Sequence, residues 1–283
     1  MKLGIVMEGG ASRTIFSCGV TDVFMDENIY PDYLIGVSAG IAYGVSYASK
    51  QRGRNEEFTR KYMNDPRYMG MRYLLDPKKR CYYNLAFAFG EVPNKLVPYD
   101  YDALAHYPGQ VVAVVTNIRT GKAEYFEIPP YEKYWETTIA SCSLPVLFPP
   151  VKLGKQYYLD GGLADPVPYK KAREEGCDKI IVILTRKRDY IKERERGTAL
   201  VNYIYHKYPK IVELMNRRAE SYNRLTRELL EEEKKGNLFL IAPGDTYGVS
   251  RTEGDWKLLG RLYQEGIDVA REQMGALREY LEK

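Results

Sequence analysis

Ser38 sits in Gly36-Val37-Ser38-Ala39-Gly40, straight after the apolar run Tyr33-Leu34-Ile35 and ahead of a helix-like segment. A serine on a sharp strand-to-helix turn is lifted out of a sheet as a nucleophile, and such a turn needs small neighbours on both sides. Gly36 and Gly40 allow the close backbone packing, while Ala39 leaves its N–H for an oxyanion at the positive end of the helix. Small residues also cluster in ordinary turns, so this pattern alone admits a purely structural reading.

Two further segments bear on the same chemistry. Leu3-Gly4-Ile5-Val6-Met7-Glu8-Gly9-Gly10-Ala11-Ser12-Arg13 is a short apolar strand running into a glycine turn, with a helical pattern starting near Thr14. The N–H groups of Gly9, Gly10 and Ala11 are candidates to hold the negative oxygen of a tetrahedral intermediate. A nucleotide loop is the weaker option, because the third glycine of the dinucleotide fingerprint and the Lys-Ser/Thr of a P-loop are both missing. In Tyr158-Leu159-Asp160-Gly161-Gly162, a carboxylate ends an extended run and two glycines turn the chain, which makes Asp160 the candidate base. An Asp-Gly-Gly turn without chemistry is common, but three such segments in one chain make coincidence less tenable.

Gly9-Gly10-Ala11-Ser12-Arg13, the Gly36 to Gly40 elbow and Asp160-Gly161-Gly162 resemble, in order, the three motif blocks of the patatin-like phospholipase family. Ala140-Ser141-Cys142-Ser143-Leu144-Pro145-Val146-Leu147-Phe148-Pro149-Pro150 resembles the family's stretch before the aspartate, so the resemblance covers about residues 3–185. It implies a Ser-Asp dyad in which Asp160 accepts the Ser38 proton, Ser38 attacks an ester carbonyl and water later releases the acyl group. It further implies oxyanion donors from Gly9, Gly10, Ala11 and Ala39, supported by Gly36, Gly40, Arg13, Gly161 and Gly162. The chain departs from the family where Ala11 and Thr14 replace glycines, and a positive φ at Ala11 would cost more than at glycine.

Histidine counting points the same way. Only His106 and His206 are present, and Ser38 comes too early for an α/β-hydrolase triad, whose elbow follows several strands. Both histidines read as surface or packing residues. A carboxylate is a poor base in water, with a reference pKa of about 4, so Asp160 works best if partly desolvated. Arg13 has three readings: orienting the oxyanion loop, meeting an anionic head group, or, by default, a salt bridge to a nearby acid. Glu8 reads as structural.

The 283 residues suit one large α/β domain or two small ones, with no obvious boundary, and 45% hydrophobic content can build a substantial core. A formal charge of +4 is too small and dispersed to argue for nucleic acid. Lys78-Lys79-Arg80 and Arg186-Lys187-Arg188 read as solvated surface, or as contacts for an anionic membrane. Cys18, Cys81, Cys142 and Cys177 lack metal or disulfide spacing, and no secretory pattern precedes the first strand, so the expected compartment is the cytoplasm. No apolar run approaches the roughly 20 residues that span a bilayer.

Strand candidates at 2–7, 33–36, 111–117, 179–184 and 238–242 alternate with helical patterns, the signature of a mostly parallel sheet with helices on both faces. Ligands then sit outside the carboxyl ends of the strands, where Ser38 and the Gly9 loop would lie. Residues 51–107 form an insertion rich in Tyr, Arg and Pro, read either as a lid over an acyl pocket or as ordinary aromatic packing. Residues 198–283 read as a completion of the same domain: a charged helix to about 235, a strand, then a helix from about 252 to 282. The expectation is a cofactor-free and metal-free lipid acyl hydrolase, with a lipid ester as partner and peripheral membrane contact admitted. Its rivals are a lipid-binding regulatory protein without useful turnover and a soluble esterase or thioesterase.

Overall fold

The computed structural model describes residues 1–132, 135–194 and 198–283. Among the described residues, eight strands form one sheet: β1 Leu3–Met7, β2 Tyr33–Val37, β3 Gln110–Asn117, β4 Ala123–Glu127, β5 Val151–Leu153, β6 Gln156–Asp160, β7 Lys179–Ile183 and β8 Phe239–Ile241. Strands β3, β2, β1, β7 and β8 run parallel in that order, while β4, β5 and β6 are antiparallel additions around β3. The parallel strands are those expected at 2–7, 33–36, 111–117, 179–184 and 238–242, with ends shifted by a residue or two.

The helices are α1 Ile15–Asp26, α2 Ala39–Ala48, α3 Arg54–Tyr62, α4 Met71–Leu75, α5 Tyr101–Ala105, α6 Glu136–Cys142, α7 Tyr169–Glu174, α8 Thr198–Ile204, α9 Pro209–Lys234 and α10 Trp256–Glu282. A π-helical segment, Ala86–Leu96, lies within the 51–107 insertion. The long charged helix is two helices, because Pro209 lacks an N–H and suits a first turn, so it starts α9 afresh.

The central strands are apolar throughout because both faces are covered. Side chains alternate across a strand, so Ile5, Met7, Ile181 and Ile183 pack in the core shared with α1, α2 and α10. Val6, Ile35, Val182 and Leu240 pack on the other face, with Tyr169 of α7 and Leu229 of α9. Helices α1 and α10 cross at backbone contact. A Cβ on Gly19 would stand 2.2 Å from the Tyr263 carbonyl oxygen, and one on Gly266 would stand 2.1 Å from that of Phe16. Residues after 198 therefore extend the sheet through β8 and cover it through α9 and α10.

Register around β3 positions the site. Val114 pairs with Val37 at the end of β2, and the next residue, Val115, pairs with Asp160 at the end of β6. Strand β4 occupies β3 from Val112 to Thr116, overlapping both partners, so β2 and β6 must share the opposite edge. Their carboxyl ends meet there head to head, one residue apart along β3. Gly161 is required at this junction, since a Cβ would lie 2.2 Å from the Val114 carbonyl oxygen.

Candidate active site

Ser38 follows Val37 at that junction and caps the N-terminus of α2 with φ 54° and ψ −129°. A non-glycine residue at positive φ is strained and persists only where its surroundings hold it. The holding contacts are tight. A Cβ on Gly40 would stand 2.4 Å from the Met7 carbonyl oxygen, one on Gly36 2.6 Å from the Ile41 nitrogen, and one on Gly9 2.7 Å from the Val37 carbonyl oxygen. The glycines of the elbow and the glycine loop thus let β1 and β2 end against each other.

Ser141 of α6 closes the gap between β2 and β6. Its Oγ accepts the Ser38 N–H at 2.8 Å and donates to the Val114 carbonyl at 2.7 Å. Sequence reasoning quoted Ser141 within a motif block without giving it this role.

Asp160 is 2% exposed. Its backbone N–H donates to Ser143, its carbonyl accepts from Thr116 Oγ1 at 2.8 Å, and its Oδ1 accepts the Gly162 N–H at 2.8 Å. Ser38 and the Asp160 carboxyl line the same cleft, with the Ser38 side chain near enough to favour the ionised carboxylate. Burial pushes the Asp160 pKa above the ordinary carboxylate value, and the Ser38 bond, Arg218 and the Gly162 N–H offset part of that rise. The Cys142 thiol, also beside Ser38, is pushed up by its own burial and stays a thiol.

The glycine loop turns through Gly10 into a single 3-10 turn, Ala11–Thr14. Ala11 takes φ 50°, so the alanine adopts the conformation that a glycine would hold more easily. The N–H groups of Gly9, Gly10, Ala11 and Ala39 meet no acceptor among the described residues. Glu8 lies buried beneath, taking the Thr185 N–H at 2.6 Å and the Tyr222 hydroxyl at 2.6 Å, a structural tie between β1, β7 and α9. The far side of the loop is held by the segment before α10: Ser12 donates from N to Arg251 O and from Oγ to Glu253 O.

Arg13 makes no ion pair with a carboxylate among the described residues; its Nη1 donates to the Val249 carbonyl. His106 and His206 stand exposed, each with Nδ1 against a carbonyl of its own helix or turn, Asp102 and Tyr203.

Ser38 stands where two compartments meet. A cleft of about 490 Å³ with a mixed polar and apolar lining holds Asp160, the glycine loop, Arg186, Arg218 and Arg251. An apolar pocket of about 130 Å³ opens on the other side, lined by Ala42, Tyr43, Val92 and Leu144 among others. Its wall is a chain of rings, Tyr43–Phe58–Tyr68–Tyr83–Phe148, with successive centroids 5.1 to 6.4 Å apart. Phe58, Tyr68 and Tyr83 come from the 51–107 insertion.

Residues 5–173 match the profile described as Patatin-like phospholipase. The chain belongs to this family. Residues 208–282 match a domain of unknown function, DUF6363. The chain is similar to the uncharacterized protein YjjU of Escherichia coli strain K12, at 29% identity over 65% of this chain and 52% of that protein. It is also similar to lysophospholipase NTE1 of Scheffersomyces stipitis, at 23% identity over 95% of this chain and 18% of the yeast protein. It therefore spans about half of the bacterial relative and under a fifth of the yeast one. Among solved structures, VipD from Legionella pneumophila is similar with a TM-score of 0.48 and 12% identity, over 97% of this chain and 67% of VipD. No helix among the described residues is long and apolar enough to cross a membrane.

Proposed function

We propose that this protein is a serine acyl hydrolase that cleaves the carboxylic esters of phospholipids or lysophospholipids. The observation that carries the reading is the buried Asp160 carboxyl sharing one cleft with a strained Ser38, at the mouth of an aromatic-walled apolar pocket. Family membership supports it, as does the lysophospholipase name of the yeast relative.

Asp160 takes the Ser38 proton as Oγ attacks the ester carbonyl carbon. The tetrahedral oxygen is met by N–H groups among those of Gly9, Gly10, Ala11 and Ala39, helped by the positive end of α2. Collapse expels the alcohol, which leaves with the proton held on Asp160. Water then attacks the acyl-enzyme, passes its proton to Asp160 and on to Ser38, and frees the fatty acid. The step needs neither histidine. The apolar pocket takes the acyl chain, with the 51–107 insertion as its roof. Met71 and Leu75, exposed on α4 ahead of Lys78-Lys79-Arg80, supply an apolar and basic edge for peripheral membrane contact.

Covalent labelling by a fluorophosphonate tests the nucleophile. Wild type should acquire one adduct at Ser38 and Ser38→Ala none. An unlabelled wild type would favour a lipid-binding protein without turnover, and hydrolysis confined to monomeric soluble esters would favour an esterase or thioesterase.

A further inference from the structure

The apolar pocket beside Ser38 is too small for the whole acyl chain of a membrane lipid. Its volume is about 130 Å³, and a cavity of about 150 Å³ takes one benzene, roughly six carbons. Two acyl chains end to end fill a bilayer core of about 30 Å, so each extends for about 15 Å. A chain of that length must continue beyond the pocket.

A second apolar compartment borders the first. The π-helical segment Ala86–Leu96 stands between them. Ala88, Val92 and Pro93 line the pocket, Leu85, Ala86 and Gly90 line an open groove of about 590 Å³, and Phe89 lines both. Helix α6 also borders both, with Trp135 at its N-terminus on the pocket side and Ile139 one turn further on in the groove. Tyr101 walls the groove and is fixed there, since its hydroxyl donates to Asn94 Oδ1 at 3.1 Å and accepts from Trp135 Nε1 at 3.2 Å. Among the described residues no charged side chain lines the groove, which suits an uncharged hydrocarbon.

Rings around this boundary are pinned, and Phe89 is not. Phe87, two residues earlier, meets Tyr62 edge-on with centroids 6.1 Å apart and carries the Arg67 guanidinium 4.6 Å from its own centroid. Trp135 meets Tyr99 edge-on at 4.9 Å. Phe89 is half-buried and makes no ring or cation–π contact among the described residues. Beside it Gly90 leaves the groove clear, because a Cβ there would meet nothing within 4 Å. A side chain held only by apolar packing, half in solvent, changes rotamer readily.

Resting on the acyl hydrolase reading above, we propose that the groove is a distal subsite for long acyl chains and that Phe89 is the gate into it. The carbons next to the ester fill the pocket beside Ser38, Phe89 turns aside, and the rest of the chain lies along Leu85, Ala86, Gly90 and Ile139. Each further methylene removed from water there adds binding, so long-chain esters are the preferred substrates.

Two measurements test this. The first compares Ser38-dependent kcat/KM for hexanoyl, decanoyl and palmitoyl lysophosphatidylcholine at equal mole fraction in neutral-detergent micelles. Wild type should favour palmitoyl over hexanoyl by about tenfold or more. Gly90→Leu puts a side chain into the groove while raising helix propensity, and should lower that ratio by about tenfold, mainly through KM. Phe89→Ala removes the gate and should raise the ratio severalfold, a gain that lost packing alone would not give. A wild type that prefers hexanoyl, or a ratio that neither substitution moves, would overturn the distal-subsite proposal and leave the hydrolase reading intact.

The second is a calorimetric titration of the full chain with palmitate and with hexanoate, which needs no turnover. Palmitate binding tighter than that of hexanoate, and weakened about tenfold by Gly90→Leu with the wild-type circular dichroism kept, supports the subsite. Absence of palmitate binding, equal affinity for both acids, or palmitate binding unchanged in Gly90→Leu would overturn it even if no ester is hydrolysed. A dimer in sedimentation that Gly90→Leu dissociates would give the groove to a second copy of the chain and overturn the proposal as well.

Discussion

Asp160 carries the sharpest expectation at the level of single residues. A base must be ionised to take the Ser38 proton, so the raised pKa of Asp160 moves the acid limb of kcat/KM above the ordinary carboxylate range. The same rise has a stability consequence. With the folded pKa above the unfolded value of 3.8, the ionised carboxylate opposes folding at neutral pH. That opposition fades as pH falls through the folded pKa and is gone below 3.8. Asp160→Asn should therefore be inactive yet more stable than wild type at pH 7, the gain shrinking as pH approaches 4; thermal melts across that range check it, and a constant or reversed difference contradicts it. Ala11 is the second strained residue of the site. Its φ of 50° costs an alanine about 1–2 kcal/mol, while glycine adds roughly 0.5–1 kcal/mol of unfolded-chain entropy, so Ala11→Gly should hold or raise stability by up to about 1.5 kcal/mol. Denaturant melts decide this, and a loss of stability would mean that the Ala11 methyl contributes packing that outweighs the strain. Ser38, Asp160 and the glycine loop were legible in the sequence because strain and close approach demand particular residue types there. Arg218 and Arg251 were not, since an arginine on a charged helix or in a loop looks the same whether it faces solvent or a cleft.

Elements meet at the junction of β2, β3 and β6, and Ser141 of α6 is its fastening. Ser141→Ala would leave the Ser38 N–H and the Val114 carbonyl without their partner, at about 1–3 kcal/mol for each buried group left unpaired. Loosening the turn that presents the nucleophile should lower kcat about tenfold or more, since misplacement of this kind is costly, with little change in KM. Kinetics beside a denaturant melt check both; an unchanged kcat would show that the elbow holds itself. The parallel strands were readable as apolar runs buried on both faces. The antiparallel strands β4 and β5 were not. β4 is partly exposed on its whole length, with charged and aromatic residues, and β5 is three residues long, so neither leaves a periodic signal. The π-helical Ala86–Leu96 was likewise unforeseen, because a wider helical turn has no composition of its own.

Across the whole molecule, the 208–282 segment is tied to the rest at three places. β8 pairs with β7, α10 crosses α1 at Gly19 and Gly266, and the loop before α10 clamps Ser12 of the glycine loop. Unfolding should then be one cooperative transition, seen alike by near-ultraviolet and far-ultraviolet circular dichroism. Gly266→Ala drives a methyl into the Phe16 carbonyl and should cost about 3 kcal/mol, lowering the single transition without splitting it. Two separated transitions would show instead that the C-terminal segment folds on its own. The single-domain reading of the sequence rested on the absence of any linker; what no linker could reveal is that the far end of the chain reaches back to the site. The output of the assembled molecule is acyl release, and the measurement that bears on it most directly pairs wild type with Ser38→Ala and Asp160→Ala on phospholipid, lysophospholipid, triacylglycerol and short soluble esters. The dyad predicts release of fatty acid from a phospholipid or lysophospholipid by wild type and its loss, by about three orders of magnitude or more, in both variants with folding intact. Release that survives in Ser38→Ala, or no Ser38-dependent release from any of these esters, would contradict it.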